Sequence, residues 1–164
     1  MFSNCSSLIE INLGKLDFSL SNNFSGIFYQ CRNLKKLDVS YFNTKNSKSF
    51  NSMFYNCSKL KEINVSKFKT TNCENINRMF YGCNALESID MLNWDMKNIN
   101  DIDLLFSGCS KLRNIKMNFN NDKKLSFYQT FNGLPEGGSF VWKKGTNCNE
   151  LFQHLPISWN RIQE

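Results

Sequence analysis

The chain has 164 residues, 41% of them hydrophobic and only two of them proline, which excludes global disorder and allows one domain with a real core. Its formal charge of +6 is interleaved with acids, which fits a solvated surface and not the clustered base charge of a nucleic-acid footprint. No apolar run approaches the roughly 18 residues of a membrane span, so neither nucleic acid nor membrane insertion is expected.

The first residues, MFSNCSSLIEIN, carry no charged n-region and no apolar h-region, so no signal peptide is read there. A cytoplasmic place and a mature or truncated piece of an exported protein both stay open. The same stretch begins a repeat. Phe2, Phe28, Phe54, Phe80 and Phe106 are each 26 residues apart, as are Cys5, Cys31, Cys57, Cys83 and Cys109. Leu8, Leu34, Leu60, Leu86 and Leu112 follow, then Ile11, Leu37, Ile63, Ile89 and Ile115, then Leu13, Val39, Val65, Met91 and Met117. A bulky slot holds Leu16, Phe42, Phe68 and Trp94. Columns held in register over so many units mean a solenoid.

Within a unit, Phe50, Met53, Phe54 and Cys57 have the i, i+3, i+4, i+7 spacing of a short amphipathic helix, repeated at Ile76 to Cys83 and Ile102 to Cys109. Asn46, Asn72 and Asn98 stand where its N-cap would lie, and Asn56, Gly82 and Gly108 where its left-handed end would lie. The next element, LKKLDV at 34–39, alternates Leu37 and Val39 like a strand with one buried face. The expected fold class is α/β: a single-domain solenoid, short parallel strands stacked into one sheet with short helices on the opposite side.

With Leu-x-x-Leu-x-Val on a strand, the unit resembles a leucine-rich repeat. The fuller pattern SMFYNCSKLKEINVSKFKTTN is similar to the 26-residue repeat of bacterial surface proteins, a branch of the BspA-like leucine-rich repeats. The likeness is strong over 1–117. It implies a curved solenoid on secreted, lipid-anchored or wall-attached proteins, often in adhesion, although this chain shows neither export signal nor anchor.

Beyond Phe106 the period falters. Phe127, Phe131 and Leu134 continue the helix columns at a spacing of 25, with Leu in the Cys place. Phe140 and Trp142 fall where Ile115 and Met117 place the next strand, and Phe-x-x-Leu-Pro occurs at both Phe131 and Phe152. Residues 1–117 are therefore read as regular repeats and 118–164 as degenerate repeats ending in a cap, one continuous domain. Asn160, Arg161, Gln163 and Glu164 are expected to face water beyond the last layer.

Candidate chemistry is sparse. Five of the seven cysteines obey the period, none forms Cys-x-x-Cys, and a ladder of parallel thiols does not converge on a metal. Parallel Cβ atoms about 4.8 Å apart also exceed disulfide reach. They are read as buried, reduced fillers, with Cys73 and Cys148 outside the ladder and exposed. The column Asn12, Asp38, Asn64, Asp90, Lys116 lines up oxygens, yet it falls short of the roughly six to eight ligands of calcium. Side-chain hydrogen bonding is the preferred reading, with Lys116 neutralising Asp90. The lone His154 lies in the cap segment without a nucleophile, and Asp101 and Asp103 sit at a helix start, where acids favour the dipole. The sequons at Asn4 and Asn56 fall in repeat positions. No enzyme, cofactor or metal is expected.

The variable positions are the non-core strand residues: Ile9, Lys35, Lys61, Glu87, Arg113; Glu10, Lys36, Glu62, Ser88, Asn114; and Lys15, Tyr41, Lys67, Asn93. Variation over an unvarying core suits a recognition scaffold. The candidate ligand-binding face is Lys35, Lys36, Asp38, Tyr41, Lys61, Glu62, Asn64, Lys67, Glu87, Asp90 and Arg113. Lys35, Lys36, Lys61 and Lys67 form a basic patch around Tyr41 that favours an acidic partner. The expected role is an adhesion-type module for a protein or surface glycan. A spacer in a longer surface array and an intracellular scaffold are the alternatives. Phe2, Leu8, Ile11 and Leu13 lie uncovered in the first layer, so end-to-end self-association through that end is also expected.

Overall fold

The computed structural model describes residues 1–14, 16–120, 125–143 and 148–164. The chain winds as a parallel β-solenoid, one 26-residue unit per coil. Strands β1 (Glu10–Ile11) and β2 (Lys36–Leu37) pair in one sheet. Strands β3 (Ser88–Met91), β4 (Asn114–Met117), β5 (Ser139–Trp142) and β6 (Asn160–Gln163) form a second, in chain order. The expected single sheet is thus divided, because residues 62–65 of the third coil fall outside both ladders. Register follows the columns: Ile89 lies opposite Ile115 and then Phe140, Met91 opposite Met117 and then Trp142. The alternation is plain in β3, where Ser88 and Asp90 are exposed while Ile89 and Met91 are buried.

The Phe-x-x-Cys face is the main departure from expectation. It is a run of tight turns and not a helix; the one helix among the described residues is the four-residue α1 (Asn149–Phe152). Every second amide on this face donates to the next coil. Phe54 N–H bonds Met79 O at 2.9 Å and Asn56 N–H bonds Tyr81 O at 2.7 Å. The amides between them close turns, Met53 to Phe50 O at 3.1 Å and Cys57 to Phe54 O at 3.0 Å. An α-helix would spend all these donors inside its own turn. The backbone achieves the alternation with a left-handed residue every fourth position: Ser52 at φ 54° and Asn56 at 55°, Arg78 at 56° and Gly82 at 67°. Asn46, Asn72 and Asn98 therefore cap nothing. Each side-chain amide reaches back a coil, to Ser19, Lys45 and Thr71 carbonyls at 3.4, 2.9 and 2.7 Å.

Between the faces the columns make one core. Phe2, Phe28, Phe54, Phe80 and Phe106 stack with centroids 5.5, 5.8, 5.5 and 5.8 Å apart. Phe42, Phe68 and Trp94 form a second stack, and Trp94 Nε1 donates to Val65 O at 3.0 Å. The thiols are more than fillers. Cys31, Cys57, Cys83 and Cys109 each donate Sγ–H to a Phe carbonyl of the preceding coil, at 3.0–3.2 Å. None of the seven cysteines is in a disulfide, and burial in this apolar column pushes the thiols up, Cys31 to about 11 and Cys109 to about 12.

Cys73 and Cys148 are buried, not exposed; only Cys5 is exposed. Cys73 belongs to a further column, Ser47, Cys73, Ile99, whose members are fully buried. Nearby, Thr44 and Thr70 turn a corner. Thr70 Oγ1 donates to Asp95 O at 3.1 Å and accepts from Asp95 N–H at 2.7 Å, and Thr44 bridges Lys69 in the same way. At the cap, Arg113 Nη1 donates to Glu136 O and to Gly137 O, and Trp159 Nε1 to Pro135 O. A Cβ at Gly138 would lie 2.5 Å from Trp159 Cε2, so the tryptophan needs that glycine. The residues of β6 are all exposed. In the first coil Leu13 is buried, contrary to expectation, Phe2, Leu8 and Ile11 are half-buried, and Leu16 and Leu20 are exposed.

Candidate functional site

The outward positions of the strand face are fixed by the inward ones. Leu34, Ile63 and Leu86 are buried, and the neighbouring Lys35, Lys36, Glu62 and Glu87 are left to solvent. All eleven predicted site residues, Lys35, Lys36, Asp38, Tyr41, Lys61, Glu62, Asn64, Lys67, Glu87, Asp90 and Arg113, are exposed. Lys15, at the head of the Tyr41 column, lies outside the described residues.

Two open depressions of about 590 Å³ each adjoin on this face. One is lined by Lys36, Leu37, Asp38, Glu62, Ile63, Asn64, Val65, Ser66, Ser88 and Asp90, where the third coil leaves the ladder. The other is lined by Lys35, Lys36, Lys59, Lys61, Glu62, Ala85, Glu87 and Ser88. The structure thus brings together most of the predicted face and adds Lys59 and Ala85. Their signal was a further 26-residue column, Asn33, Lys59, Ala85, Lys111, that varies as the chosen ones do.

Three of the predicted face residues, and Lys116, stand differently. Tyr41, 66% exposed, and Lys67 line neither depression. Arg113 has its guanidinium on the Glu136 and Gly137 carbonyls, holding the cap loop. Lys116 lies opposite Asp90 in register, yet its Nζ is 3.9 Å from Glu164 Oε1.

The Asn12, Asp38, Asn64, Asp90 column turns the chain. Each Oδ1 accepts from the amide two residues on, at Gly14, Ser40, Ser66 and Leu92, at 2.8–3.1 Å. The Ser40 hydroxyl and amide hold the Asp38 carboxyl below its ordinary value, and Lys67 adds to this. These oxygens are engaged in backbone turns, and no group of three or more His, Cys, Asp or Glu among the described residues is arranged to hold a metal. The lysines are in the opposite state. Among the described residues one ion pair forms, Lys116 with Glu164, so Lys35, Lys36, Lys59 and Lys61 face the depression without a carboxylate within 4.0 Å.

His154 stacks on Phe127 with centroids 5.4 Å apart, beside a third open depression that also includes Glu150 and Tyr128. No helix among the described residues is long and apolar enough to cross a membrane.

A family model described as a Mycoplasma protein of unknown function, DUF285, matches residues 1–119. No curated protein and no solved structure matches the chain.

Proposed function

From a chain that belongs to the family described as a Mycoplasma protein of unknown function, DUF285, we propose a non-catalytic recognition module that engages another macromolecule with the strand face of its solenoid. The observation that carries the reading is the contrast between columns. Phe, Cys and Leu positions hardly change along the stack, whereas the exposed column beside them runs Ile9, Lys35, Lys61, Glu87, Arg113. A spacer requires the first property only. The Met/Leu-Phe-x-x-Cys-x-x-Leu unit further supports kinship with BspA-like surface repeats, and through it an adhesion role at the cell surface. The leucine-rich-repeat likeness rests on the strand motif alone, since the turn face follows a different geometry.

Site-specific photo-crosslinking on the source cell tests the proposal, with the reactive group placed at Lys61 or Glu87 on the strand face and at Arg78 or Asn77 on the turn face. Recognition predicts one crosslinked species, formed from the strand-face positions and lost when the neighbouring strand-face charges are reversed. Equal labelling from both faces, or none from either, supports the spacer.

A further inference from the structure

We propose that the depression over the second to fourth coils binds an extended acidic segment of a partner protein, with Lys35, Lys36, Lys59 and Lys61 as the groups that pair with its carboxylates. The inference rests on the strand-face reading and adds the chemistry of the occupant.

Three observations point the same way. Lys35 and Lys61 occupy one column on neighbouring coils, so stacking sets their positions roughly 5 Å apart along the axis, where like charges repel. Glu62 and Glu87 follow Lys36 and Lys61 in their columns but close no ion pair with them, and four lysines against two glutamates leave the lining with a positive excess; among the described residues the single ion pair is at Lys116 and Glu164. An external carboxylate would relieve that repulsion. Secondly, the half-buried Ala85 and the methylene stems of the lysines give their depression apolar surface, and the half-buried Leu37 borders the adjoining one, which suits the methylene and methyl groups of a peptide. Thirdly, Glu62 and Glu87 stand in the same lining. A phosphate backbone would be repelled by them, while a peptide can offer an amide or a basic side chain. Sugar rings commonly stack on aromatic faces, and neither lining contains an aromatic residue.

The test is an amide-shift titration of the whole chain at low salt and again at physiological salt. Four probes are compared: a twelve-residue peptide of Glu, Ser and Leu, the same peptide with Gln for Glu, a heparin fragment and a single-stranded oligonucleotide. The proposal expects the Glu peptide to shift amides around Lys35–Leu37, Lys59–Glu62 and Ala85–Ser88, and to bind at least tenfold more tightly than the Gln peptide. The Lys35→Glu/Lys61→Glu variant should lose that preference, with Lys35→Gln/Lys61→Gln standing in if the first melts early; Lys111→Glu should keep it. Affinity should fall with salt. Equal shifts from the Gln peptide, or tighter binding of heparin or oligonucleotide at the same lysines, would overturn it. Crosslinking confined to the strand face together with a silent Glu peptide would leave the recognition reading standing and remove this one.

Discussion

Arg78 provides a sign test of the turn face. It is exposed, its φ is 56°, and its amide donates to Asp103 O in the next coil at 3.0 Å. A left-handed conformation costs a residue with a Cβ about 1–2 kcal/mol. Glycine avoids that strain but enlarges the entropy of the unfolded chain, a loss of about 0.4–1 kcal/mol. Arg78→Gly should therefore be more stable than Arg78→Ala by about 0.5–1 kcal/mol. Were residues 76–83 helical, Gly would instead be less stable than Ala by about 1 kcal/mol. The two geometries differ in sign, and exposure keeps packing out of the comparison. Urea unfolding followed through the buried Trp94 reports the difference. A variant with Gly less stable than Ala by about 1 kcal/mol would refute the turn ladder.

Gly82 gives the converse test: at φ 67° its added Cβ would lie 2.0 Å from Asn56 Oδ1, so Gly82→Ala should cost about 2 kcal/mol or more, partly restored by Asn56→Gly in a double-mutant cycle. Thr70→Val should cost about 1–3 kcal/mol by equilibrium denaturation, because the Asp95 amide and carbonyl both lose their partner. Under native conditions a thiol reagent should label Cys5 quickly and the other six cysteines only on unfolding, as mass spectrometry of quenched samples would show. The same burial makes stability alkaline-sensitive. Cys73 and Cys109 are pushed up to about 12 from 9.0, mainly by desolvation, so the unfolded chain releases these protons first. Their contribution is full below about pH 9 and falls toward pH 12, each thiol adding a slope of about 1.4 kcal/mol per pH unit. Cys73→Ser, which places the Ser47 residue type one coil on, should flatten that slope.

The coil and its core were legible because side-chain burial is periodic: Phe54, Cys57, Leu60 and Ile63 are buried, as are their counterparts in the next two coils, and their columns say so. The turn face was misread because its apolar spacing matches a helix, while what separates the two is backbone conformation. One left-handed column, Asn56, Gly82, Gly108, advertised itself through residue type. The other runs Gly26, Ser52, Arg78, Leu104, and only its first member hints at a positive φ. Cys73 was read as exposed, and Thr70 was passed over, for a related reason. Their columns mix polar and apolar residues, since Ser47 and Thr70 are buried on the strength of hydrogen bonds to the backbone. On the strand face, composition located the lysines but could not separate Arg113, whose role depends on the cap loop folding back onto it.

The most direct measurement of the central claim, that the turn face is hydrogen-bonded from coil to coil, is the through-hydrogen-bond coupling between amide nitrogen and carbonyl carbon in labelled protein. The stacked solenoid predicts couplings from Phe54 N to Met79 C′ and from Phe80 N to Leu105 C′, across bonds of 2.9 and 3.1 Å. Couplings instead from Phe54 N to Phe50 C′ and from Phe80 N to Ile76 C′ would place a helix on that face and contradict the account.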